Sequence, residues 1–254
     1  MMKVTILGSG TSQGVPIIAC HCPTCKSQDP KDKRLRTSAL IETESAVFSI
    51  DAGPDFRQQM LRENVNHLDA ILITHEHKDH IGGLDDVRPF NFKQGFSMPI
   101  YASPSAQEEI RREYSYAFAD KLYPGAPTFD LRTIDGNPFR IADTIIVPIE
   151  LQHYTLTSFG FRIDNFAYIS DFNKIPDVSF EKLKGVHYLV IEALRHEEHY
   201  SHINLQQALD IIERLDVKKA WLTHISHSMG LASEINPTLP HNVKLAFDGE
   251  KIFI

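Results

Sequence analysis

The run Thr74-His75-Glu76-His77-Lys78-Asp79-His80 sets three imidazoles and the Asp79 carboxylate within a few positions of one another. Nitrogen and oxygen donors in such a mixture suit zinc, manganese or iron, so they point to divalent metal without naming it. The apolar stretch 69–74 ahead of the cluster reads as a buried strand. In extended chain just past a strand, residues two apart point the same way, so His75 and His77 can reach one ion. Asp79 and His80 stand at the entry to a turn containing Gly82 and a following helix, face elsewhere, and can reach a second ion. Helical His-Glu-x-x-His sites work differently, placing their histidines on one helix face.

A second constellation comprises Cys20, Cys22 and Cys25, the only cysteines, in segment 19–26. An odd number in so short a span is a poor disulfide framework. The Cys-x-Cys-x-x-Cys spacing instead lets three thiolates converge on one ion, and a closed tetrahedral zinc site needs a fourth ligand. His21 lies inside the loop and is expected to point away; His227 is the better fourth candidate.

These residues need a scaffold. The chain has 254 residues, enough for one large domain, expected here to span 1–254, with a substantial core. Its 42% hydrophobic and 23% charged residues exclude a disordered or fibrous class. No apolar run is long enough to span a bilayer, so no membrane partner is expected. The N-terminus reads straight into a strand without a signal core, which predicts a cytoplasmic protein. A net charge of −7 argues against a long nucleic acid as partner, since such proteins present a basic face. The local basic excess at 31–36 is interrupted by Asp32 and reads as a solvated loop. A small anionic substrate is compatible with this charge, because metal ions supply positive charge locally. The sequence leaves a homodimer open.

Short β-branched apolar runs predict strands over 4–7, 38–41, 47–50, 70–73, 145–149, 158–163, 166–169, 188–191, 220–222, 244–247 and 252–254. Helices are expected over 55–63, 83–92, 105–114 and 204–215, the last with Asn204 as N-cap. Residues 114–127 read as a helix followed by a loop over the site. Strands first in pairs and then interleaved with helices predict two sheets packed face to face with helices outside, an α/β arrangement of four layers.

On the histidine cluster and four further segments in order, the sequence resembles the metallo-β-lactamase superfamily. The segments are Ser49-Ile50-Asp51-Ala52-Gly53, Leu151-Gln152-His153-Tyr154, Tyr168-Ile169-Ser170-Asp171 and Trp221-Leu222-Thr223-His224. The resemblance covers essentially the whole chain and implies the αββα sandwich of that fold. It implies a first metal on His75, His77 and His153, and a second on Asp79, His80 and His224, with Asp171 bridging both. Asp51 is expected to orient ligands without binding metal.

A closer resemblance is to the PhnP-type phosphodiesterases, which open phosphoribosyl 1,2-cyclic phosphate. It rests on Gly8-Ser9-Gly10-Thr11-Ser12-Gln13-Gly14-Val15-Pro16, the cysteine segment, and Leu222-Thr223-His224-Ile225-Ser226-His227. It implies a structural zinc on Cys20, Cys22, Cys25 and His227, and a small, cyclic phosphodiester as substrate. Tyr200-Ser201-His202-Ile203-Asn204-Leu205 matches a segment shared with tRNA 3′-processing nucleases and implies His202 as general acid. Asp79 and Asp171 complete the expected catalytic residues. The implied mechanism is attack on phosphorus by a hydroxide held between two divalent ions, zinc or manganese. His196 and His199 match no motif and read as surface residues; His67, His187 and His241 read as structural.

The sequence bears on three alternatives. A tRNA 3′-processing endonuclease carries a His-Glu-Ala-Thr segment, where this chain has Ile191-Glu192-Ala193-Leu194, and no basic Gly/Pro-rich arm is visible. A lactamase, lactonase or thioesterase is disfavoured by the cysteine segment. A non-catalytic scaffold or sensor predicts missing ligands, and none is missing.

Overall fold

Alternation of apolar residues along the strands explains the layers of the computed structural model, which describes residues 1–121 and 123–254. The strands are β1 (Lys3–Gly8), β2 (Ser38–Glu42), β3 (Val47–Ile50), β4 (Ala70–Leu72), β5 (Met98–Ala102), β6 (Phe129–Thr133) and β7 (Phe139–Ile141), followed by β8 (Thr144–His153), β9 (Leu156–Ile163), β10 (Phe166–Ile169), β11 (Tyr188–Glu192), β12 (Lys219–Thr223), β13 (Val243–Leu245) and β14 (Lys251–Phe253). The helices are α1 (Pro23–Lys26), α2 (Phe56–Arg62), α3 (Lys78–Ile81), α4 (Arg88–Gln94), α5 (Pro104–Glu113), α6 (Asp177–Leu183), α7 (Leu205–Leu215) and α8 (Ala232–Ile235). One sheet has the order β14-β1-β2-β3-β4-β5-β6 and the other β13-β12-β11-β10-β9-β8-β7.

Side chains on a strand alternate between faces. Val4, Ile6, Phe48, Ile50 and Leu72 of the first sheet meet Ile146, Phe161, Phe166, Tyr168 and Trp221 of the second in one core between the sheets. Their strand neighbours Leu7, Leu40 and Ile71 point outward, to Phe56 of α2 and Ala106 and Ile110 of α5. On the far side Ile169, Leu189 and Leu222 pack against Leu205, Ala208 and Ile212 of α7. Three cores therefore separate four layers, the expected αββα sandwich. Truncating a buried ring such as Phe161 in the central core is expected to cost about 3–5 kcal/mol.

The predicted strands and helices recur with small shifts at their ends, the largest at β8, which runs on to His153; β5, β6 and β7 and the short helices α1, α3, α6 and α8 are additional. Pro99 interrupts the apolar run of β5, and β6 and β7 are edge strands with mostly half-exposed or exposed residues, so they lack a buried-strand pattern. The helix expected over 83–92 divides into a 3-10 turn, Leu84–Val87, and α4, because Pro89 suits a first helical turn but not an interior. Within 114–127 a 3-10 turn covers Ser115–Phe118, and Leu122 lies outside the described residues. The α7 helix starts as expected: Asn204 caps the Gln207 N–H while the Gln207 side chain accepts from the Asn204 N–H. Among the described residues no helix is long and apolar enough to cross a membrane.

Candidate metal centre

The site forms because parallel strands end together. In the first sheet β3, β4 and β5 are parallel, and in the second β10, β11 and β12 are parallel. Ligands in such sheets collect outside the carboxyl ends of the strands. Asp51 follows β3, His75 to His80 follow β4, Asp171 follows β10, Glu192 ends β11 and His224 follows β12. The Phe159 N–H donates to the Thr74 carbonyl at 2.8 Å and ties the two halves together beside the cluster.

Three of these residues leave their strands in the left-handed region: Asp51 at φ 63°, Asp171 at 58° and His224 at 53°. Such conformations cost a non-glycine residue roughly 1–3 kcal/mol, and here they occur at two members of the ligand groups, Asp171 and His224, and at Asp51, which bonds a third, His80. Gly53 serves a related end. A Cβ at that position would collide with the Asp79 carbonyl, so only glycine lets the loop after β3 touch the segment bearing Asp79 and His80.

Two ligand groups result. His75, His77 and His153 form one, and Asp79, His80, Asp171 and His224 the other, with ligand atoms in each within 4.8 Å of one another. The His80 Nε2 lies 3.1 Å from Asp79 Oδ2 and 3.4 Å from Asp171 Oδ1, and His224 Nε2 lies 3.1 Å from the same Asp171 oxygen. Asp171 also groups with His153 and His202, so it stands between the two sets. The His80 and His224 Nε2 atoms and Asp171 Oδ2 are buried without a hydrogen-bond partner. Buried polar atoms left unpaired are rare, and lone pairs turned toward a shared point fit a divalent cation.

The outer atoms of these ligands are held in place. Asp51 is fully buried and accepts from His80 Nδ1 at 2.7 Å and from the Thr74 N–H at 2.8 Å, leaving His80 Nε2 to face the carboxylates. His153 Nδ1 donates to the Ser201 carbonyl at 2.9 Å, leaving its Nε2 for the centre. Burial drives His75 well below the usual histidine range and His153 down to about 4, so both imidazoles are neutral and have a lone pair to give.

His202 is of another kind. Its Nδ1 donates to Glu192 Oε2 at 2.8 Å, while Glu192 Oε1 accepts the Phe172 N–H at 2.5 Å. Burial disfavours charge on His202, but the Glu192 carboxylate outweighs it and raises the imidazole to about 9. Its ring lies 4.8 Å from the rings of both His153 and His224. Glu192, met in the sequence only in the comparison with the His-Glu-Ala-Thr segment, is given no role there. His199, expected at the surface, is half-buried with its ring 5.2 Å from His202. His196 is exposed and bonds the Met229 carbonyl. Among the described residues, His67, His187 and His241 join no potential ligand group.

The cysteine segment closes on its expected partner. The sulfurs of Cys20, Cys22 and Cys25 lie 3.2, 3.4 and 3.6 Å from His227 Nδ1. The Cys25 N–H bond pulls the Cys22 thiol down to about 6, whereas burial pushes Cys25 up to about 11. Four donors around one point, with no carboxylate, match a closed zinc site. His21 is exposed and is not in the group formed by Cys20, Cys22, Cys25 and His227.

Residues 47–225 match the β-lactamase superfamily domain, and the chain belongs to that superfamily, whose fold implies use of divalent metal. Within it the chain is similar to a solved diphosphatase from the PhnP family, 37% identical with a TM-score of 0.93, covering 100% of this chain and 98% of that one. It is also 39% identical to an octanoyltransferase of Porphyromonas gingivalis over all of this chain but 52% of that protein, so it spans about half that relative's length. A ribonuclease Z of Mycolicibacterium gilvum is 25% identical, covering 88% of this chain and 84% of that protein.

Proposed function

We propose that the chain, acting as one unit over 1–254, is a metal-dependent hydrolase of small phosphodiesters, cyclic ones such as phosphoribosyl 1,2-cyclic phosphate included. It would hold two catalytic divalent ions, zinc or manganese, on His75, His77, His153, Asp79, His80, His224 and the shared Asp171, and one structural zinc on Cys20, Cys22, Cys25 and His227. When bound, the ion pair supplies Lewis acidity toward phosphoryl oxygens and a water acidic enough to attack at neutral pH. Asp171 positions both ligand sets around the reacting phosphate. His202, kept protonated by Glu192, donates its Nε2 proton to the departing ester oxygen. Asp51 and Ser201 hold His80 and His153 in the tautomers that leave Nε2 free.

The observation that carries this reading is the meeting of the three-histidine group, the mixed carboxylate group and His202 around one buried aspartate. Similarity to the PhnP-family diphosphatase supports a phosphate ester over other hydrolase substrates. Similarity to ribonuclease Z supports a second reading, cleavage of tRNA precursors, against which the net charge of −7 weighs. The test is a panel with zinc- or manganese-loaded protein: bis(p-nitrophenyl) phosphate, phosphoribosyl 1,2-cyclic phosphate, 2′,3′-cyclic AMP, a tRNA precursor, an octanoyl thioester and a β-lactam. Turnover of the small diesters well above the rest is expected. Turnover of the thioester or β-lactam with no diester cleaved overturns the reading.

A further inference from the structure

Two exposed tyrosines are borne by the loops that carry His153 and His202. Tyr154 follows His153 in the turn between β8 and β9, and Tyr200 lies two residues before His202. They are 57% and 70% exposed, yet their rings touch, with centroids 5.5 Å apart at 78°. Isolated exposed aromatics need no explanation; a pair assembled from separate loops beside a reaction centre does.

The pair is fixed. Tyr154 takes a left-handed φ of 55°, which glycine would adopt without strain. Its N–H donates to Asn173 Oδ1 at 2.9 Å, and its carbonyl accepts from the Gln152 side chain at 3.2 Å. Tyr200 packs on His199 at 4.3 Å between ring centroids. Ser201 binds both parts: its carbonyl holds His153, and its hydroxyl bonds His199 Nδ1 at 3.1 Å. The loop that bears Tyr200 is thus bonded through Ser201 to the ligand histidine that Tyr154 follows.

We propose that Tyr154 and Tyr200 form a stacking platform for a nucleobase, so that the diesters this centre prefers are nucleotides. The proposal rests on the hydrolase reading and narrows its substrate class. A base lying on the face of one tyrosine is held nearly perpendicular to the other and turns its edge toward that ring, an arrangement aromatic rings favour. Every base offers a π-face, so such a platform accepts purines and pyrimidines alike. A ribosyl phosphate without a base has nothing to stack and loses that contact.

Calorimetric titration of the zinc-loaded chain with AMP and with ribose 5-phosphate tests this apart from turnover. AMP is expected to bind about tenfold more tightly, the lower range of a single stacking contact. Tyr200→Leu and Tyr154→Leu should each shrink that ratio toward one, and Tyr200→Trp should restore it. The same variants should lower kcat/KM for 2′,3′-cyclic AMP relative to phosphoribosyl 1,2-cyclic phosphate by a similar factor. Equal binding of the two ligands by the wild type, or a ratio unmoved in both leucine variants, overturns the platform. If the AMP preference holds but no diester is cleaved, the hydrolase reading falls and the platform stands. Cleavage of diesters without an AMP preference removes the platform and leaves the hydrolase reading in place.

Discussion

The cysteine segment and the histidine centre both gather donors around a point, but with different donor chemistry. The segment draws three thiols from one short loop and a single imidazole from the turn beginning at His227. Four such donors complete a tetrahedron and leave no open position. The centre draws seven donors from both sheets, two of them carboxylates, and His77 is exposed while His75, His80, His153, Asp171 and His224 are buried. Soft, closed ligation suits a structural role; hard, mixed ligation open to solvent on one side suits chemistry. The difference teaches where each kind of damage should register, in folding for one and in turnover for the other.

The sharpest way to break this contrast is Asp171→Asn. It removes the carboxylate charge proposed to serve both ligand groups, and diester turnover is expected to fall by at least about a thousandfold. Elemental analysis of that variant should still find one zinc per chain, retained by the cysteines. A variant with full activity, or one that loses this zinc as well, would remove the distinction. His202→Ala should come next, with turnover down roughly a hundredfold to a thousandfold, as for loss of a general acid, and metal content unchanged. Full turnover in that protein would strip His202 of the role.

Glu192→Gln probes the same proton more gently, with an expected loss of about tenfold to a hundredfold. Its pH profile is the stronger readout. The active form carries the proton, so wild-type kcat/KM should hold below about 9 and decline as pH rises through that value. Without the Glu192 charge the imidazole titrates lower, and the alkaline decline should move to lower pH. A profile that does not move separates Glu192 from the proton.

Cys25→Ser should have the smallest effect on turnover per folded molecule and a clear one on stability. One metal equivalent should be lost, and with a few kcal/mol of folding energy gone the melting temperature should drop by roughly 10 °C. Unchanged metal content and melting would mean that the thiols bind nothing.

Legibility in the sequence follows the same division. His75 to His80 could be read directly, because strand and turn geometry act over a few residues and their types are rare together. His153, Asp171 and His224 could not be read alone. Each is one polar residue beyond a strand, and their meeting depends on two sheets docking, so resemblance had to supply them. Glu192 could be given no role because it ends a strand of otherwise apolar residues, and its partner His202 is ten positions on, across a loop. The layers were legible from alternation in the central strands, whereas β6 and β7, half solvated at sheet edges, carry no such signature. Nothing in a tyrosine foretells the left-handed turn at Tyr154, a conformation the hairpin imposes.

His75 to His80 hang from the first sheet, while His153, Asp171 and His224 hang from the second. Any ion bridging them is therefore a clasp between the halves of the sandwich, and it excludes every state in which the halves are apart. Under the proposed ligation, free metal enters the unfolding equilibrium as a reactant. Each tenfold excess over the dissociation constant adds about 1.4 kcal/mol per ion to the folded state. The resistance of this chain to heat would then be a gauge of the metal supply around it.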